Sequence, residues 1–138
     1  MTHPPQSDLR KQDFEALSEF RYQLRSFLRF SENAAHRAGI TPQQYLLLLH
    51  INGFPGREWA TVGELAERLQ AQHHSAVALV SRCEKLKLVK RKPSAHDRRQ
   101  VEVHLLPRGE QFLSALAALH RAELKTLDGT FRVPRINM

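Results

Sequence analysis

A mainly α-helical fold carrying a small β-hairpin is predicted by three observations. Apolar residues recur at spacings of three and four along most of the chain, the pattern of helices with one buried face. The segment from Gln100 to Leu105 alternates instead, as a strand with one covered face does. Between Thr61 and Gly109 the signals run in a fixed order: helix, tight turn, helix, strand, basic loop, strand, helix start. At 138 residues the chain has the size of one domain and can bury a core without disulfide or metal staples.

Met1 to Ser7 holds two prolines and no periodicity, and reads as a loose arm. From Asp8 the pattern turns helical, with Phe14, Leu17, Phe20, Leu24, Phe27 and Leu28 as its stripe and Gly39 as its stop. A helix this long in so small a protein needs a recipient beyond its own core, and a partner subunit is the expected one. Thr41 caps the next helix, with Pro42 at the first helical position, where the missing N–H costs nothing. Tyr45 to Ile51 fills that helix, Asn52 to Gly56 ends it, and Trp59 is placed to anchor the loop.

Thr61 and Glu64 form a capping box before a short helix that buries Leu65, Ala66 and Leu69. Gln70, Ala71 and Gln72 make a turn of the length a helix-turn-helix uses. A second helix runs from about His73 to Lys87, with Ala76, Leu79, Val80, Cys83 and Leu86 as its apolar stripe. Leu88 to Arg91 is a short strand, Lys92 to Arg99 a polar loop, and Gln100 to Leu105 the return strand. In that strand Val101, Val103 and Leu105 face inward, and Gln100, Glu102 and His104 outward. Pro107 opens the last helix, striped by Phe112, Leu113, Leu116, Leu119, His120, Leu124 and Leu127, and Gly129 ends it. The expected organisation is therefore a winged helix-turn-helix over 41–106, flanked by dimerisation helices over 8–38 and 107–128, with a tail over 129–138, all within a single unit 1–138.

Charge narrows the partners. Twenty-one Lys and Arg against fourteen Asp and Glu give a net +7, an excess that favours polyanions, nucleic acid before an anionic membrane. The longest apolar runs, Tyr45 to Leu49 among them, are far short of the ~20 residues a spanning helix needs, so no membrane association is expected. No signal-peptide pattern opens the chain, and its one cysteine, Cys83, suits a reducing compartment; a cytoplasmic location is expected. Cys83 lies in an apolar stripe and reads as a small packing residue rather than a redox switch. His73 and His74 diverge by about 100° on a helix, and no tetrahedral ligand set surrounds them. No paired acids, phosphate loop or nucleophile–base pair is present, so neither an enzyme nor a cofactor is expected.

A binding role for duplex DNA follows from the same residues. The major groove is about 12 Å wide and accepts one helix. Gln72, His73, His74, Ser75, Val77 and Ala78 present short hydrogen-bonding or small side chains at the start of the second helix, suited to base edges. Arg82, Lys85 and Arg91 are read as phosphate ligands. Asp97, Arg98 and Arg99 stand at the wing, where an arginine gains from a narrow minor groove and a carboxylate can hold its fork. Phe20, Tyr45 and Trp59, bulky and near helix junctions, are candidate linings of an effector pocket. The apolar content of the recognition face, Val77 and Ala78, leaves a winged-helix protein-interaction module without specific DNA binding as the alternative.

Five stretches in order resemble the MarR family of bacterial transcriptional regulators. They are Leu65-Ala66-Glu67-Arg68-Leu69, Leu79-Val80-Ser81-Arg82-Cys83-Glu84, Leu88-Val89, Asp97-Arg98-Arg99 and Val103 to Gly109. The resemblance implies a homodimer, held by interlocked first and last helices, whose two winged lobes grip a pseudo-palindromic operator. It also implies that Arg99 is the wing-tip arginine with Asp97 as its orienting partner. A repressor released by a small aromatic or anionic effector is the function it implies. Three positions depart from the family pattern. Lys87 stands where glycine usually ends the recognition helix, Cys83 where leucine is usual, and Leu106 where a Ser or Thr cap is usual. The chain also ends early for the family, so a further dimerisation helix is expected to be missing.

Overall fold

The computed structural model describes residues 8–136, so the arm read at Met1 to Ser7 and the last two tail residues lie outside the described residues. Within them the chain forms α1 (Lys11–Ala38), α2 (Pro42–Asn52), β1 (Trp59–Thr61), α3 (Val62–Leu69), α4 (His73–Lys85), β2 (Val89–Pro93), β3 (Val101–Leu105) and α5 (Pro107–Thr126). The mainly α fold with its wing stands as the sequence predicts. The predicted hairpin is a three-stranded antiparallel sheet of order β1-β3-β2, because Trp59, Ala60 and Thr61 pair with His104, Val103 and Glu102.

α2 is the central post. Tyr45, Leu47, Leu48 and Ile51 are buried at successive angles around it, and it touches α1, α3, α4, α5 and the sheet. Leu46 and Leu49 stay exposed on its remaining side, so this apolar helix is enclosed over most of its circumference and not all of it. Thr41 caps it as expected: the Gln44 N–H donates to Thr41 Oγ1 at 3.1 Å, and Gln44 Oε1 accepts the Thr41 N–H at 2.9 Å. The same reciprocal box starts α3, with Thr61 and Glu64 at 2.9 and 3.2 Å. Val80, Cys83, Leu88, Val89, Val103 and Leu116 complete the dry centre beneath the sheet and α5.

Three helices end by one device. Ile40 N–H donates to Ala35 O, Ala71 N–H to Ala66 O and Leu88 N–H to Cys83 O, at 3.1, 2.9 and 2.9 Å. Each is the six-to-one bond of a Schellman motif, which needs a left-handed residue just before the donor. Gly39 supplies it for α1 at φ 96°, but Gln70 and Lys87 supply it for α3 and α4 at φ 53° and 64°. The helix from His73 therefore ends at Lys85, not Lys87, and Leu86, read as part of the buried stripe, leaves the helical period and is exposed. A left-handed lysine costs about 1–2 kcal/mol, part of which glycine gives back through its freer unfolded chain. Lys87→Gly is expected to raise stability by about 0.5–1 kcal/mol, read as a higher urea midpoint at unchanged slope.

The outer helices are less buried than their stripes suggest. On α1, Phe14, Leu17 and Leu28 are exposed, and on α5 so are Leu119 and Leu124. Only Asp13, Ala34 and Ala35 of α1 are buried. α5 starts without a side-chain cap at Leu106, relying on Pro107 as expected, and Gly109 presses against the Leu88 carbonyl at the root of the wing. In β3, Glu102 shares the face of His104, as read, but it is buried there on the central strand and meets His104 Nε2 at 2.9 Å. Val101, read as inward, is exposed.

Candidate nucleic-acid interface

α4 offers one uncovered face. His73, His74, Ser75, Val77, Ala78, Arg82 and Lys85 are all exposed on it, while Ala76, Leu79, Val80 and Cys83 turn into the core. Gln72 is the N-cap residue, and its side chain makes no capping bond, which leaves the amide available to a ligand. Burial pushes the Cys83 thiol up to about 11, so at neutral pH it stays protonated and packs as an apolar group. Among the described residues, no three His, Cys, Asp or Glu side chains gather as a metal would require.

The wing tip is built from its own side chains. The buried Ser94 Oγ accepts the N–H groups of His96 and Asp97 at 3.2 and 3.3 Å, and Gln100 N–H closes the turn on Asp97 O at 3.0 Å. Asp97 Oδ1 then accepts both the backbone N–H and Nε of Arg99, at 3.0 and 3.3 Å. Arg99 is thus aimed by a carboxylate while its side chain stays 91% exposed. Ser94 was not singled out by the sequence reading; a Ser three residues before an Asp in a polar loop was the available signal. Arg98 is exposed beside it. A cleft of about 420 Å³ separates α4 from the wing, with His73 and Val77 on one wall and Arg91, Arg99, Gln100 and Val101 on the other.

Arg91 sits differently from the other cations. Its guanidinium is engaged inside the lobe by Glu84, Ser81 and the Val77 carbonyl, at 2.7 to 3.1 Å. The Arg91 backbone N–H, and then its guanidinium, hold the Glu84 carboxyl below the usual carboxylate range. The candidate pocket residues do not converge. Tyr45 is buried, stacks on His120 at 4.9 Å, and lines a cavity of about 560 Å³ with Phe27, Leu49, Arg121 and Lys125. Phe20 instead packs on Phe131 at 5.7 Å. Trp59 lies on the sheet, against His104 and beneath Arg57, so it is removed from the cavity lining. The cause is β1: by pairing with β3, it carries Trp59 to the wing root. His120, read only as part of an apolar stripe, ties α5 to α1 through Ser31 Oγ at 2.8 Å.

A helix-turn-helix with a basic wing, slung between two long helices, defines a winged-helix protein with the architecture of a transcription regulator. A family model described as MarR family matches residues 38–100. An uncharacterized HTH-type transcriptional regulator, YsmB of Bacillus subtilis, is 29% identical over 98 residues, covering 67% of this chain and 61% of the relative; the chain thus spans about three fifths of that protein's length. A crystallised MarR family transcription regulator is 26% identical and superposes with a TM-score of 0.73 over 88% of this chain and 78% of its own. The Staphylococcus aureus MepR F27L mutant, solved bound to an oligodeoxyribonucleotide, superposes at 0.63 with 21% identity over 82% and 81% of the two chains. NadR, solved with 4-hydroxyphenylacetate, does so at 0.71 with 19% identity over 94% and 87%. Residues 38–100 thus resemble the MarR family, and the fold is that of its solved winged-helix regulators.

Proposed function

We propose that the protein is a homodimeric transcriptional repressor that binds a pseudo-palindromic operator in the cytoplasm. The observation that carries this reading is the shared cleft: the uncovered N-terminal half of α4 and the Asp97-held Arg99 face one another across it. A helix in the major groove and an arginine reaching the adjacent minor groove need that juxtaposition. Gln72, His73, His74, Ser75, Val77 and Ala78 are assigned to base edges, Arg82 and Lys85 to phosphates, and Arg98 and Arg99 to the wing contact. The exposed apolar residues of α1 and α5 supply the dimer face. The cavity between α1, α2 and α5 suits a small aromatic anion, with Tyr45 and Phe27 for the ring and with Arg121 and Lys125 outweighing the one carboxylate of its lining, Asp128. NadR, with its bound 4-hydroxyphenylacetate, supports that ligand class.

The test begins with duplexes that the protein retains from its own genome. On the tightest of them, affinity is expected to fall with salt at a slope of about 0.9 per neutralised phosphate. Six to ten contacts correspond to a loss of about 10³–10⁵ between 50 and 200 mM salt. Arg99→Ala should weaken every duplex, whereas Gln72→Ala should lower the preference for the retained one. A flat salt curve would leave a winged-helix protein-interaction module in its place.

A further inference from the structure

Arg91 carries the same charge as the cations around it and is used differently. Nη1 donates to Glu84 Oε1 at 2.7 Å, and Nη2 donates to Ser81 Oγ at 2.9 Å and to Val77 O at 3.1 Å. Its backbone N–H donates to Glu84 Oε2 at 3.1 Å. Val77, Ser81 and Glu84 follow at intervals of four and three, so they form one stripe along α4. A single guanidinium therefore spans two turns of the helix. Outward from the buried Val89, Arg91 is the β2 residue hydrogen-bonded to α4, and beyond it the cleft holds the wing clear of His73 and Val77. Charge-assisted bonds of this kind are about twice as strong as neutral ones and geometrically strict. Lysine, a point charge on a flexible stem, cannot reproduce them.

We propose that Arg91 is a positioning residue: it fixes the angle between the wing and α4, so that both grips reach the duplex together, and it contacts no phosphate itself. This rests on the DNA-reading function above. Glu84 makes the proposal distinctive. A carboxylate near the DNA-facing side opposes a polyanion, so on charge alone its removal tightens binding. As the anchor of the clamp, its removal weakens binding.

The probes are a duplex that the wild-type protein selects from random sequence and an unselected random duplex of equal length. Arg91→Met, Arg91→Lys and Glu84→Gln are each expected to lower the ratio of selected to random affinity about tenfold, at a salt slope equal to wild type. Arg91→Met combined with Glu84→Gln should be little worse than either alone. Mere loss of folded protein would lower both affinities equally and leave the ratio unmoved; that result would overturn the proposal. So would a slope reduced by about 0.9 in Arg91→Met, full rescue by Arg91→Lys, or tighter binding by Glu84→Gln. Amide hydrogen exchange on the DNA-free protein reads the clamp separately. Faster exchange over residues 94–100 in Arg91→Met is expected, and unchanged exchange refutes the clamp. If the wild-type protein selects no duplex, the DNA reading falls and takes the positioning role with it, while exchange still decides whether the clamp exists.

Discussion

Gly109→Ala should unfold the wing root. A Cβ at that position would stand 2.2 Å from the Leu88 carbonyl oxygen and 3.1 Å from its carbon, both backbone atoms that no rotamer change can move. The same oxygen already accepts the Leu106 N–H at 2.9 Å, so it is fixed from the other side. Relief requires α5 to slide away from the strand, which would draw Arg108 off the Leu86 carbonyl it caps at 2.8 Å. Overpacking of this kind costs about 1–3 kcal/mol, and backbone against backbone belongs at the upper end. A loss of about 3 kcal/mol corresponds to a fall of roughly 10 °C in melting temperature for a protein of this size. Calorimetry checks it; a melting temperature within a degree or two of wild type would mean the approach is looser than the structure shows.

Introducing charge on the outer helices should abolish tight DNA binding without unfolding the chain. Phe14 and Leu119 are 54% and 51% exposed, so glutamate at either position leaves the core intact. In the proposed dimer both positions become buried, where an unpaired carboxylate is costly. Phe14→Glu with Leu119→Glu is expected to halve the mass measured by light scattering while keeping the helical circular dichroism. Each lobe then binds alone, and the loss of linkage is worth about 10²–10⁴ in affinity. A wild-type protein that is already monomeric, or a double variant that remains dimeric with undiminished affinity, contradicts the proposed assembly.

Much of this architecture was legible because its signals are local. The capping box at Thr61 and Glu64, the Thr41-Pro42 start and the stripe of α4 each lie within a turn or two of helix. The Asp97-to-Arg99 bond is equally local, spanning two residues. β1 was not legible: Trp59, Ala60 and Thr61 are too few to alternate, and Thr61 already bore the mark of a helix cap. The Arg91 clamp joins a strand to a helix as much as fourteen residues away, a geometry that charge and spacing do not encode. The scattering of Phe20, Tyr45 and Trp59 has the same root, since a cavity is made by which helices meet rather than by which residues are large. Lys87 was the reverse case: it stands where a glycine is usual in the resembled family, and the structure holds it left-handed at φ 64°.

Thr61 is at once the last residue of β1 and the cap of α3, with no spacer between them. Sheet and first reading helix are thereby welded, and a displacement of one is a displacement of the other. The start of α5 is tied to the same plate, since the Leu106 N–H donates to Leu88 O at 2.9 Å and Arg108 Nη1 to Leu86 O at 2.8 Å. In the proposed dimer, a shift of the flanking helices would therefore carry each winged lobe as one body, changing the spacing of the two lobes while leaving each one's internal geometry intact.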